Sequence, residues 1–157
     1  DVTMNDTYVT IASACEALFK DKGSKFIAYA FHIANENEAK ERLSALKKLY
    51  FDAHHHCYAF VLGHDGAHFR SYDDGEPHHS AGDPILGQIR SKGYTQVLVV
   101  VVRYFGGTKL GVPGLVQAYK TSASMVLELC TAREVFIKKE LIFQLEKFLM
   151  LLFMILV

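Results

Sequence analysis

Three short segments hold most of the residue types that can do chemistry. The first is His54-His55-His56-Cys57, at the head of an apolar and aromatic run. On a strand, alternation sets His54 and His56 on one face and His55 and Cys57 on the other. Imidazole and thiolate suit zinc, but one strand face supplies at most two of them, so other ligands would have to come from elsewhere. The competing reading is a polar strand entry with Cys57 buried as a small hydrophobe.

The second segment is Asp73-Asp74-Gly75-Glu76-Pro77-His78-His79. Its carboxylates and imidazoles suit a hard cation or acid–base work, without the alternating ligand spacing of an EF-hand. The competing reading is a tight turn whose acids cap the next helix. The third segment runs Arg103-Tyr104-Phe105-Gly106-Gly107-Thr108-Lys109-Leu110-Gly111. Glycines let backbone amides approach an anion, and a following helix N-terminus adds partial positive charge. Arg103 and Lys109 would add full charges. The loop lacks the G-K-[ST] of a Walker A motif, and its glycines also suit turns and close packing. The candidate site is therefore His55, His56, Asp73, Asp74 and Glu76, with Arg103, Gly106, Gly107 and Lys109 as anion-binding candidates. No Ser-His-Asp or Cys-His-Asn arrangement emerges. His56 and Cys57 point apart on a strand, so no catalytic residue is assigned.

These segments must be held by regular elements. Tyr8–Ala12 and Lys25–Ile33 read as strands, separated by a turn at Asp21-Lys22-Gly23-Ser24. Asn35–Leu49 is an amphipathic helix, with Ala39, Leu43, Leu46 and Leu49 on one stripe and Asn35 and Glu38 at capping-box spacing. His56–Gly63 and Ala67–Tyr72 form a hairpin about His64-Asp65-Gly66. Pro84 sits in the first turn of a helix ending near Ser91. Val97–Val102 is continuously apolar, as in a strand buried on both faces. A helix over Leu115–Leu129 and a last strand over Glu134–Leu145 complete an α+β order with helices on one face of the sheet.

Composition bounds the function. The 157 residues are 50% hydrophobic and 22% charged, which excludes a disordered chain and fits one domain or slightly more. Lys+Arg and Asp+Glu are both 17, which excludes a polybasic arm but not a local basic patch. Three scattered cysteines with no C-x-x-C exclude a disulfide framework and a zinc ribbon, and suit a reducing compartment. The polar start, Asp1–Thr10, carries no targeting leader, and the apolar run Leu149–Val157 is too short to span a bilayer. A cytoplasmic protein is expected, with no membrane partner, metal or cofactor. The apolar C-terminal segment is a candidate for homo-oligomer contacts.

Several stretches together resemble the Impact N-terminal domain family, with its bacterial YigZ-type proteins. They are Gly23-Ser24-Lys25-Phe26, Ala53-x-His55-His56-Cys57-Tyr58-Ala59, Asp73-Asp74-Gly75-Glu76-Pro77 and Ala81-Gly82-x-Pro84-Ile85-Leu86. Val99 through Arg103-Tyr104-Phe105-Gly106-Gly107-x-Lys109-Leu110-Gly111 and Gly114-Leu115-Val116-x-Ala118-Tyr119 complete them. Each is weak alone; in this order and spacing, over about residues 8–130, the combination is specific. The resemblance implies an α+β two-layer sandwich of the ribosomal-protein/elongation-factor domain type. Residues 1–131 would form the Impact N-terminal-like domain, and 132–157 the start of a ferredoxin-like second domain. His78-His79 departs from the small residues usual there. Eukaryotic relatives act in translational control, largely through a separate domain this chain lacks. The resemblance supplies no catalytic residues, but implies that the candidate residues converge on one surface.

Three functional readings follow. A protein that binds nucleic acid or the ribosome, linked to translation regulation, predicts a basic patch near Lys109. An enzyme acting on a small phosphorylated or carboxylated substrate predicts a concave pocket over the His/Asp/Glu cluster. A scaffold predicts acids used as caps and histidines with satisfied hydrogen bonds.

Overall fold

The computed structural model describes residues 7–157; residues 1–6, which include most of the polar start, lie outside the described residues. Seven strands and four helices alternate along the described chain: β1 (Thr7–Ile11), β2 (Cys15–Asp21), β3 (Ser24–His32), α1 (Glu36–Leu49), β4 (His55–Leu62), β5 (His68–Tyr72), α2 (Gly82–Ser91), β6 (Val97–Tyr104), α3 (Gly111–Leu129), β7 (Ala132–Phe136) and α4 (Ile137–Leu156). The architecture is α+β. Five strands form the central sheet in the order β2-β3-β6-β4-β5, and every pairing is antiparallel. β1 and β7 form a separate antiparallel pair, with Thr7 opposite Phe136 and Ile11 opposite Ala132.

β6 is the middle strand, and Val97–Val102 is buried on both faces, as its unbroken apolar run predicts. That burial requires cover on both sides, so the expectation of helices on one face does not hold. Val97, Val99 and Val101 pack with α2 and α3, around Ile85, Ile89, Tyr119 and Val126. Leu98, Val100 and Val102 pack on the other face with Ala39, Leu43 and Leu46 of α1. α1 begins where its cap places it: the Glu38 amide donates to Asn35 Oδ1 at 2.9 Å, and Glu38 reaches back to the Ala34 amide.

Two elements differ from the sequence-based expectation. β2 has no counterpart there, because it is an edge strand. Its burial alternates, but Ala17 and Phe19 are only half-buried and Leu18 sits on the exposed face with Glu16 and Lys20, so the apolar pattern in the sequence is faint. The last strand ends at Phe136, and a helix runs from Ile137, where a strand over Glu134–Leu145 was expected. Among the described residues β1 begins at Thr7, opposite Phe136, so none pairs with a strand beyond it, and Lys138-Lys139-Glu140-Leu141 are good helix formers. No described helix is long and apolar enough to cross a membrane.

Candidate functional site

The start of β4, the end of β6 and the loop after β5 meet beside α3. Register sets His55 opposite Arg103, and Phe26 flanks Arg103 from β3. Alternation then turns Arg103, His55 and Cys57 toward α3, while His56 turns toward α1, with Nε2 2.9 Å from the Tyr50 carbonyl.

Glu76 is the hub. Its Oε1 accepts from Arg103 Nη1 at 2.6 Å and from the Tyr119 hydroxyl at 2.9 Å, and lies 3.3 Å from His55 Nε2. Arg103 and Glu76 are both buried, at 5% and 7% exposure, so this is a desolvated ion pair rather than a surface contact. Arg103 Nη2 donates to Ser24 Oγ at 3.3 Å; among the described residues its Nε has no partner. His55 Nδ1 donates to the Asp74 carbonyl at 2.8 Å, which assigns the proton to that nitrogen and leaves Nε2 facing the carboxylate. The Cys57 thiol lies 3.0 Å from the Asp73 carbonyl and 3.4 Å from the Tyr119 hydroxyl. Burial pushes both Cys57 and Tyr119 far above their ordinary ionisation range, and the neighbouring Glu76 charge adds to it. Both are neutral at pH 7, so Cys57 is no thiolate nucleophile there.

The acidic run divides its work. Asp73 accepts from the Ala81, Gly82 and His79 amides at 3.1, 2.8 and 2.9 Å, which caps α2 across the loop. Asp74 accepts from the His56 amide at 2.7 Å. Asp74 and Gly75 take φ of 43° and 85°, and the Glu76 amide closes a turn on the Asp73 carbonyl at 3.0 Å. That turn aims Glu76 inward. His79 bonds Asp83 at 2.5 Å, and His78 is largely exposed, 3.9 Å from Asp73. Among the described residues no three His, Cys, Asp or Glu side chains are placed to hold a metal ion.

The glycine loop separates into two parts. Arg103 is committed to Glu76, whereas Phe105, Gly106, Gly107 and Lys109 are exposed. Gly106 is pressed against the β2–β3 turn: a Cβ on it would stand 1.9 Å from the Gly23 carbonyl carbon. Its amide donates to Ser24 Oγ at 3.2 Å. That contact seats the turn carrying Lys22 against the loop, with Lys20 and Lys25 on the strands that enter and leave the turn. Lys20 and Lys25 are directly opposite in the β2–β3 register, and Lys22 sits in the turn at φ 46°. All three are exposed, and among the described residues none of them, nor Lys109, is in a salt bridge; Asp21, half-buried, is the acid in the turn. Sequence reading gave no role to these three lysines or to Tyr119, although Lys25 and Tyr119 stand in the stretches that carry the family resemblance. Lys20-Asp21-Lys22-Gly23-Ser24-Lys25 was legible as a basic turn, but its approach to a loop some 80 residues later was not.

Cavities of about 640 Å³ beside α1 at Lys40, Ser44 and Tyr72, about 480 Å³ at Tyr8, His64 and Arg90, and about 460 Å³ along α3 past Gln88, Thr121 and Glu128 lie elsewhere.

The model of the Impact N-terminal domain matches residues 22–127, which takes in the residues around Glu76 and the glycine loop but not β2 with Lys20. The chain belongs to the Impact N-terminal domain family. Among Impact proteins, it is similar to IMPACT family member YvyE of Bacillus subtilis (strain 168), 37% identical over 121 residues, which cover 77% of this chain and 56% of that protein. It is similar also to IMPACT family member YigZ of Escherichia coli (strain K12), 38% identical over 114 residues, covering 71% of this chain and 56% of that one. A crystal structure of a hypothetical protein matches with a TM-score of 0.81 at 32% identity, covering 85% of this chain and 66% of the other. The chain thus spans a little over half the length of the curated Impact relatives it matches.

Proposed function

We infer that this Impact-family chain is a binding module linked to translation. On this reading it takes the phosphate backbone of RNA, free or on the ribosome, at the face built from the β2–β3 turn and loop 105–110. The observation that carries the reading is the contact of Gly106 with the β2–β3 turn, which seats the turn of Lys22, with Lys20 and Lys25 on the strands either side, against the loop that carries Lys109. Lys20 and Lys25 stand directly opposite on the sheet, where like charges oppose strand pairing and a counter-anion between them would stabilise it, although Lys25 also lies over the Tyr104 ring and Lys20 guards the β2 edge. Phosphate oxygens would neutralise them, and the Gly107 and Thr108 amides beside the N-terminus of α3 would add donors. Phe105, 42% exposed, offers a ring on which an unpaired base stacks. In this account Glu76, Arg103, His55 and Tyr119 form the rigid support beneath the loop, and Asp73 and Asp74 hold the turn that delivers Glu76. The link to translation rests on family membership. A cytoplasmic location goes with it.

Residues 132–157 fit the opening of a second unit: the family match ends at residue 127, and α4 contributes nothing to either core cluster. Self-association through α4 belongs to the same reading.

The test is binding to ribosomes and to a structured RNA across a salt series, with the protein and its Lys109→Ala variant. Affinity should fall steeply with salt, and the slope should flatten by roughly one unit or slightly less in the variant. Absence of binding at low salt would refute the proposal and return attention to a small ligand near His55 and Glu76.

A further inference from the structure

Cys15 and Cys130 lie outside the site described above. Cys15 opens β2, and Cys130 is the residue at which α3 ends. The backbone brings these two points together: the Ala12 amide donates to the Thr131 carbonyl at 2.9 Å, and Ile11 is opposite Ala132. Both side chains are half-buried and pack against the same core cluster. The Cys15 thiol is 3.7 Å from the Ser13 carbonyl, and the Cys130 thiol 3.3 Å from the Val126 carbonyl, so each has only a weak local bond to give up. The Cys130 thiol is pushed up to about 12, first by burial and then by the facing Cys15 side chain. Cys57 is fully buried on Asp73 and Tyr119 and takes no part.

We propose that Cys15 and Cys130 form a thiol–disulfide modification site, closed by a small-molecule disulfide such as oxidised glutathione. One protein thiolate attacks a sulfur of oxidised glutathione, forming a mixed disulfide and releasing one glutathione thiolate, which takes up a proton. The second protein thiolate attacks the protein sulfur of that mixed disulfide. The Cys15–Cys130 bond forms and the second glutathione leaves. The two protein thiols together lose two electrons and two protons, and one small disulfide gains them. The bond ties the end of α3 to the bend between β1 and β2 and encloses most of the domain, so it restricts the unfolded chain more than the folded one. Cys15 attacks first; burial holds the Cys130 thiol above its ordinary range, so its thiolate is scarce near neutral pH and the closing step is slow there and quickens as pH rises.

The test incubates the full chain with oxidised glutathione at mildly alkaline pH, followed by alkylation and peptide mapping. The expected result is a loss of two hydrogens from the intact mass, a joined Cys15–Cys130 peptide, and a Tm raised by about 5 °C or more. Dithiothreitol should reverse all three. Cys15→Ser and Cys130→Ser should each abolish the joined peptide, and the mapping of the unaltered chain stands even where a variant folds poorly. Single glutathione adducts that never resolve, or a joined peptide containing Cys57, would overturn the proposal.

Discussion

At the scale of single residues, the centre of the domain is a charge pair with little water. Glu76 and Arg103 lose most of their hydration, and Tyr119 and Ser24 supply the further hydrogen bonds that compensate. Removing one partner strands the other. Arg103→Leu should cost about 3–5 kcal/mol in urea unfolding, because Glu76 is left buried and unpaired. The double variant Arg103→Leu/Glu76→Leu should recover most of that loss, since no charge is stranded. A single variant within ~1 kcal/mol of the parent would mean that solvent reaches the pair. Sequence alone singled out Glu76 and Arg103 but gave them separate tasks, one acid–base and one anion-binding. Their pairing spans 27 positions and depends on an Asp74-Gly75 turn that aims Glu76 inward. Tyr119 entered only as the end of a family stretch and was given no role, because a buried tyrosine on an apolar helix stripe looks like ordinary core.

At the scale of elements, the β2–β3 turn and the loop after β6 are locked by backbone-to-backbone contact at Gly23 and Gly106. Gly106→Ala has no room to relax, since the atoms it meets are main chain. It should destabilise the domain by about 1–3 kcal/mol, read by thermal or urea unfolding. It should also weaken RNA binding in the fraction that stays folded, because the two basic segments move apart. Unchanged stability and binding would show that the contact is not needed. The elements with strong periodicity were legible in the sequence: α1 through its stripe and cap, β6 through its valine run, and the β4–β5 hairpin through Asp65-Gly66. β2 was not, because an edge strand need alternate only weakly. The valine run of β6 already demanded cover on both faces; what the sequence did not show is that α1 supplies it on the face opposite α2 and α3.

At the scale of the whole molecule, charge and apolar surface are both unevenly spread. A net charge of zero conceals the lysines around loop 105–110, and a neutral total says nothing about a local patch. At the other end, α4 exposes Phe148, Leu149, Met150, Leu151, Phe153, Met154 and Ile155, each more than half accessible. A helix apolar all round is stable only when covered. Light scattering should therefore show concentration-dependent association of this chain, reduced in the Leu149→Lys/Phe153→Lys variant. Monodisperse monomer at high concentration in the unaltered chain would contradict this.

The central claim, phosphate recognition at the Gly23–Gly106 junction, is tested most directly by one quantity: the slope of log affinity for a structured RNA against log salt. The comparison is between the unaltered chain and Lys22→Ala/Lys25→Ala/Lys109→Ala, with folding of both checked by thermal unfolding. Each lost phosphate contact removes about 0.9 from the slope for duplexes and about 0.7 for single strands, so the triple variant should flatten it by roughly two to three units. An identical slope in a folded triple variant would contradict the account.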